Sequence, residues 1–292
     1  MKNIQVKWLY LFVLSLIWGT SFILIKKSLL GLTPFQLGAL RTIITGVFLF
    51  IAGFKSIKQI DKKQWKWIAI SGFLGSFIPA FLFAIAETEI DSAVASILNS
   101  LVPLNTILFG FAVFKIASTK RQVLGVIIGF IGTAILILKG AELNPQQNYL
   151  YAGFVIFSTI MYALNVNIIK RHLQHVKPLA IAAGNYVVII FPAILVLFFS
   201  DFFNHKTFAN PYFKISLVYV TILSFFGTAL AKVLFNKLIQ ISTPVFASSV
   251  TYLMPIVALT WGVLDGESFT LLQGFATIII LVGVYLSHKR QQ

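Results

Sequence analysis

The sequence predicts an all-α integral membrane protein: ten transmembrane helices arranged as two inverted five-helix repeats. Three observations predict it. Hydrophobic residues make up 58% of the 292 residues and charged residues only 11%, with a mean hydropathy of +0.92, which leaves too little polar surface to coat a water-soluble globule. Apolar runs of crossing length recur ten times. The second half of the chain also repeats the first.

In order, the runs cover roughly 8–25, 34–54, 67–86, 92–114, 121–138, 149–169, 178–200, 214–239, 243–264 and 268–287. Each is continuous and bounded by short charged turns, whereas barrel strands would alternate polar and apolar residues in short segments. Helices are therefore expected, and the short connections leave no room for a soluble domain. The first run follows Lys2 and Lys7 and could be mistaken for a signal peptide. It lacks an Ala-x-Ala-like cleavage site and pairs with the sixth run, so it is expected to be retained.

The repeat is read residue by residue. An offset of 144 carries Trp18 onto Tyr162, Lys26-Lys27 onto Lys170-Arg171 and Pro34 onto Pro178. An offset of 152 carries Gly75-Ser76 onto Gly227-Thr228, Phe83 onto Phe235, Ala95-Ser96 onto Ala247-Ser248, Leu101 onto Leu253, Pro103 onto Pro255 and Gly110 onto Gly262. One deleted residue later, Gln122 maps onto Gln273 and Gly132 onto Gly283. The two units are residues 1–143 and 144–292. Five spans per unit is an odd number, so the second unit enters the bilayer from the opposite side, and inverted repeats of this kind are the usual mark of a secondary transporter.

The net charge of +15 invites a nucleic-acid reading, which its distribution excludes. Sixteen of the 23 lysines and arginines fall on one side of a ten-span topology, chiefly in the loops holding Lys55 to Lys66, Lys115 to Arg121 and Lys170 to Lys177, and at both termini. Five fall on the other side, together with seven of the eight acidic residues, Asp61 being the exception. This is the positive-inside pattern, with both termini cytoplasmic.

Polar residues within the spans outline a cavity. In the fourth span Ser92, Ser96, Asn99, Pro103, Thr106 and Gly110 share one helical face, and Pro244, Ser248, Thr251, Pro255, Ala258 and Gly262 repeat that face in the ninth. Small residues also let helices pack closely, so Asn99, Thr106 and Thr251 carry the cavity assignment. Pro103 and Pro255 each release a backbone carbonyl in mid-span, at matched depths, where neighbouring helices or water must satisfy it. The sixth span adds Tyr162 and Asn165 on one face with Asn167 nearby, and the first adds Trp18, Ser21 and Ile25 at corresponding positions. Aromatic walls with few hydrogen-bonding groups suit a small amphipathic solute.

Two full charges lie within spans, where each costs roughly 2.5 to 3.5 kcal/mol at helix centre. Arg41 is seven residues past Pro34, and Lys232 lies about as far from the inner end of span eight. Either head can reach the interface along its own stem. Lys232 shares a face with Ser224, Thr228 and Asn236, which favours the cavity for it; Glu87, Glu89 and Asp91 are expected partners for Arg41. All eight acidic residues are expected at span ends or in loops, which leaves Lys232 as the deep group able to exchange a proton.

No catalytic constellation is present: no span holds a histidine or paired carboxylates, and there is no nucleophile elbow, phosphate loop or His-Glu-x-x-His. The histidines, at 172, 175, 205 and 288, are expected in loops or the tail, solvated. With no cysteine in the chain, thiolate metal sites and disulfides are excluded. Neither metal nor cofactor is expected.

These residues together resemble the EamA-type transporters of the drug/metabolite transporter superfamily. The resemblance runs over essentially the whole chain: Trp18-Gly19-Thr20-Ser21-Phe22 with Lys26 after it, Arg41 in an Ala-Leu-Arg context, Gly227-Thr228-Ala229, Leu253-Met254-Pro255, and Gly266-Glu267 after the ninth span. Two departures stand out. Phe114-Lys115 occupies the place of a Gly-Glu-like pair in the first half, and Lys232 stands where an aromatic residue is more usual. The resemblance implies a bacterial inner-membrane exporter of small metabolites, amino acids or related compounds, working by alternating access. The other readings are a non-transporting receptor or scaffold, and a carrier of a different solute class such as sugars or nucleotide derivatives. The expected binding residues are Trp18, Ser21, Arg41, Asn99 and Thr106 from the first unit, with Tyr162, Asn165, Lys232, Asn236 and Thr251 from the second. The expected partners are a small-molecule substrate and the lipid bilayer, and not nucleic acid.

Overall fold

A computed structural model describes residues 2–115, 119–143 and 146–288. Among them every regular element is helical. The first half contains α1 (Lys2–Ser28), α2 (Pro34–Ile57), α3 (Trp65–Gly72), α4 (Ile78–Ala86), α5 (Ser92–Asn99), α6 (Val102–Ala112) and α7 (Lys120–Leu143). The second contains α8 (Ala152–His172), α9 (Pro178–Phe199), a short α10 (His205–Ala209), α11 (Phe213–Ile222), α12 (Ala231–Ile241), α13 (Pro244–Ser248), α14 (Met254–Leu264) and α15 (Leu271–His288). Lys289 and Arg290, counted above in the charge asymmetry, lie outside the described residues, as do residues 144 and 145 at the junction of the units.

Among the described residues, eight helical stretches are long and apolar enough to cross a bilayer. The fifth and tenth expected spans correspond to α7 and α15, whose apolar stretches Val123–Leu138 and Leu271–Gly283 are shorter. The expected ten therefore become eight full-length spans and two shorter apolar helices. Lipid-facing surfaces are apolar, with Ile51 75%, Phe199 79% and Leu271 96% exposed. Polar side chains such as Asn99, Asn165 and Asn185 are buried instead, the reverse of a water-soluble protein and the arrangement hydrocarbon requires.

Helix starts follow local chemistry. Thr33 accepts a hydrogen bond from the Gln36 amide while the Gln36 side chain accepts from the Thr33 amide, with Pro34 in the first turn of α2. The matched Pro178 also stands in the first turn of α9, there without a side-chain cap. Chain direction then places the connections at two faces. We call the face where α1 begins proximal and the opposite one distal.

Four spans are not continuous α-helix, and they fall in matched pairs. The α3–α4 span contains a π turn at Phe73–Phe77, and the α11–α12 span contains one at Leu223–Leu230. The α5–α6 span breaks after Asn99, just before Pro103, and the α13–α14 span passes through a 3-10 segment at Ser249–Tyr252, just before Pro255. The two proline breaks are where the sequence puts them; the π turns are additional.

Packing exchanges elements between the halves. Helix α1 lies against α11, α12 and α14, and α8 lies against α3, α4 and α6. Helix α2 packs on α9 and α7 on α15. The last pair meets backbone to backbone, since a Cβ on Gly283 would collide with the main chain of Gly129. Close approach through small residues is the usual way helices associate in lipid.

Candidate functional site

The exchanged packing leaves a cavity of about 120 Å³ at the level of the π turns and proline breaks, the same order as the roughly 150 Å³ that accommodates benzene in an apolar site. Each π turn presents a glycine to it. Pro79 has no N–H to offer the Gly75 carbonyl four residues back, and Lys232 Nζ reaches that oxygen at 3.4 Å. In the other half the Ala231 amide bonds to Phe226 and Thr228 rather than Gly227, and the indole of Trp18 donates to the Gly227 carbonyl at 2.9 Å. Matched glycines thus expose matched carbonyls, each taken by a side chain from the other half.

The exchange extends to the walls. A Cβ on Gly227 would meet Ser21 Oγ, and one on Gly75 would collide with the Asn165 amide; Ser21 and Asn165 correspond under the same offset as Trp18 and Tyr162. Trp18 packs edge-on against Phe235 with centroids 4.8 Å apart, and Tyr162 stacks on Phe83 at 6.1 Å. Ser100 Oγ donates at 3.4 Å to the Thr251 carbonyl, the group that Pro255 releases.

Of the residues singled out in the sequence, Trp18, Ser21, Arg41, Asn99, Tyr162, Asn165, Lys232, Asn236 and Thr251 line this cavity. Thr106 does not. Its hydroxyl bonds back to the Val102 carbonyl at 2.7 Å while its own carbonyl accepts from Asn167 of α8, because the break after Asn99 interrupts the face on which the two residues were placed together. Arg41 is not paired with Glu87, Glu89 or Asp91; its Nε donates to Thr228 Oγ1 at 2.9 Å. Asp91 is engaged instead by Lys26 at 3.6 Å and by Gln147. The Oδ1 atoms of Asn99 and Asn165 are buried with no hydrogen-bond partner.

Three polar lining residues escaped the sequence reading of the cavity. Ser76, which accepts from Lys232 Nζ at 2.6 Å, was visible as the neighbour of the repeated Gly75. Thr42 and Tyr186 carry no such mark, since α2 and α9 share few identical residues beyond their opening prolines. His172, expected in solvent, stacks on Trp67 with centroids 3.6 Å apart.

The two ends of the cavity are built differently. At the distal face the Glu267 carboxylate accepts from the Ser92 amide and hydroxyl at 2.9 and 2.7 Å and from the Ala93 amide at 3.1 Å, capping α5 from across the halves. Lys27 forms an ion pair with Asp265, and Lys26 with Asp91. Glu87 stands among them, 1% exposed, with both oxygens unpartnered. At the proximal face Lys170 Nζ donates to the Ser242, Ile239 and Gln240 carbonyls at 2.6, 3.3 and 3.3 Å, at the end of α12.

Comparison with known proteins gives one consistent result. A solved structure, described as the crystal structure of a protein, matches with a TM-score of 0.67 at 19% identity, covering 95% of this chain and 94% of the other; it shares the fold. An uncharacterized transporter of Archaeoglobus fulgidus is 26% identical, with 98% of this chain and 99% of the relative aligned. The uncharacterized inner membrane transporter YedA of Escherichia coli K12 is 25% identical over 94% of this chain and 90% of its own length. A probable amino-acid metabolite efflux pump of Salmonella typhimurium is 24% identical over 93% and 91%. The description "EamA-like transporter family" matches twice, at residues 6–138 and 150–288, together nearly the whole chain. With two family matches flanking a cavity that both halves build, this multi-pass membrane protein belongs to the EamA-like transporter family.

Proposed function

We propose that the protein exports small metabolites, amino acids or related compounds, across the bacterial inner membrane by alternating access, with residues 1–143 and 144–292 acting as two inverted units and both termini in the cytoplasm. The observation that carries this reading is the set of exchanged contacts in the cavity, Trp18 to Gly227 and Lys232 to Gly75. Groups that bridge the halves at mid-depth are the ones a rocking motion makes and breaks, which is where transporters of inverted-repeat construction bind their cargo. Support for the solute class comes from the Salmonella relative named as an amino-acid metabolite efflux pump, and for the compartment from the Escherichia coli relative named as an inner membrane transporter. The substrate-binding residues in this reading are Trp18, Ser21, Arg41, Asn99, Tyr162, Asn165, Lys232, Asn236 and Thr251.

The test is counterflow of labelled amino acids in proteoliposomes. Protein-dependent exchange is expected, and Asn99→Ala and Lys232→Met should each lower it by about tenfold, a loss of roughly 1.4 kcal/mol in recognition, at unchanged expression. A receptor or scaffold would catalyse no exchange, and a carrier of sugars or nucleotide derivatives would ignore the amino acids. If both variants exchange at the unmodified rate, the cavity is not the path.

A further inference from the structure

The cavity holds two cations and, among the described residues, no acidic side chain lines it. Lys232 Nζ donates to the neutral Ser76 hydroxyl and Gly75 carbonyl, and Arg41 is held by the neutral Thr228 hydroxyl. The described ion pairs, Lys26–Asp91 and Lys27–Asp265, lie at the distal face instead. Thr228 and Lys232 are four residues apart on one span, and the side chains of Arg41 and Lys232 both line this cavity. Lys232 is buried and Arg41 half-buried, with Glu87 close enough to feel the Arg41 charge but not bonded to it; a buried cation left without a paired counter-ion is strongly unfavourable. A guanidinium anchored through Nε retains donors in a planar fork suited to a carboxylate.

A zwitterionic amino acid answers only half of this. Its carboxylate meets one cation, while its ammonium adds a positive charge to a pocket with no acid to receive it. We propose that the transported species carries net negative charge: a small dicarboxylate or an acidic amino acid, with its two carboxylates at Arg41 and Lys232. The unpartnered Oδ1 atoms of Asn99 and Asn165 accept N–H groups where the solute has them, and Phe83 and Tyr162 cover its carbon chain. This inference rests on the transporter reading above and narrows its substrate. It also supplies a driving force, since an inside-negative membrane potential pulls an anion outward with no coupled proton.

The experiment uses proteoliposomes of the intact protein under potassium diffusion potentials of either sign, with labelled succinate, glutamate, threonine and lysine as probes. Flux of succinate or glutamate should exceed that of threonine and of lysine by about tenfold or more and change direction with the sign of the potential. Lys232→Met should remove that preference, and Lys232→Arg, which keeps the charge, should retain it and so control for misfolding. Threonine flux equal to or greater than that of both acids, or acid flux indifferent to the potential, overturns the charge assignment and leaves transport standing. Flux of none of the four overturns both.

Discussion

Glu87 sits in the turn just beyond α4, the last helix before the distal face, and its carboxyl is held well above the ordinary 4.5. Burial is the main cause; Lys26 opposes it, Glu267 reinforces it and Arg41 opposes it. The buried Glu87 therefore binds a proton that a hydrated Glu87 would release in the same pH range. Stability linked to this group is greatest below the ordinary value and is lost as pH rises through the raised one. The melting temperature of purified protein should rise as pH falls from about 8 toward about 5, and Glu87→Gln should flatten that dependence and melt higher than the unmodified protein at the alkaline end, by about 2–4 °C. An identical pH profile in the variant would assign the effect to other groups. The position of Glu87 at a span end was legible in the sequence, and its burial was not. Burial arises where loops from both halves converge, and no spacing within one segment encodes that convergence. The same limit explains Arg41, whose depth was readable while its partner, Thr228, lies 187 positions away.

The discontinuous spans differ in how plainly they are written. Proline cannot donate to the ladder, so the breaks before Pro103 and Pro255 could be read directly. The π turns around Gly75 and Gly227 could be read only as a repeated Gly-Ser/Thr pair, because the extra residue that a π turn accommodates has no composition of its own. Thr106 shows the cost of extending a helical wheel across a break. The glycine contacts give a reciprocal test. Gly227→Ala should push Ser21 out of place and lower the melting temperature by about 2–4 °C, and adding Ser21→Ala, which removes the atom it meets, should recover most of that loss. Absence of rescue would mean that the glycine matters for the turn itself rather than for the wall it faces.

Over the whole molecule the charge asymmetry and the repeat were legible because both are sums over many residues, to which single errors matter little. The span count was less so: α7 and α15 hold apolar stretches shorter than a full crossing, and their mutual packing through Gly129 and Gly283 depends on contacts far apart in sequence. The topology makes a direct prediction. Cysteines introduced at the exposed Gln59 and His205 into this cysteine-free chain should react with an impermeant thiol reagent from opposite sides, His205→Cys from outside intact cells and Gln59→Cys only after permeabilisation. Equal labelling of both from outside would exclude the proposed orientation.

The exchanged packing also has a consequence in time. Helix α1 finds its neighbours in α11, α12 and α14, and about 185 residues separate Ser28 from Phe213. At roughly 5 to 20 residues per second of synthesis, α1 waits about 10 to 40 s in the bilayer before the first of those neighbours is made. Throughout that wait Trp18 has no Gly227 carbonyl to bond and Lys27 has no Asp265, so the newborn first helix is held by its own hydrophobicity, its flanking charges and its contacts with its own half, such as Lys26 with Asp91 and Phe22 with Phe83. Neither half can complete a wall of the cavity alone, and a ribosome that stops midway leaves in the membrane a first half whose polar face is open to whatever neighbour will cover it.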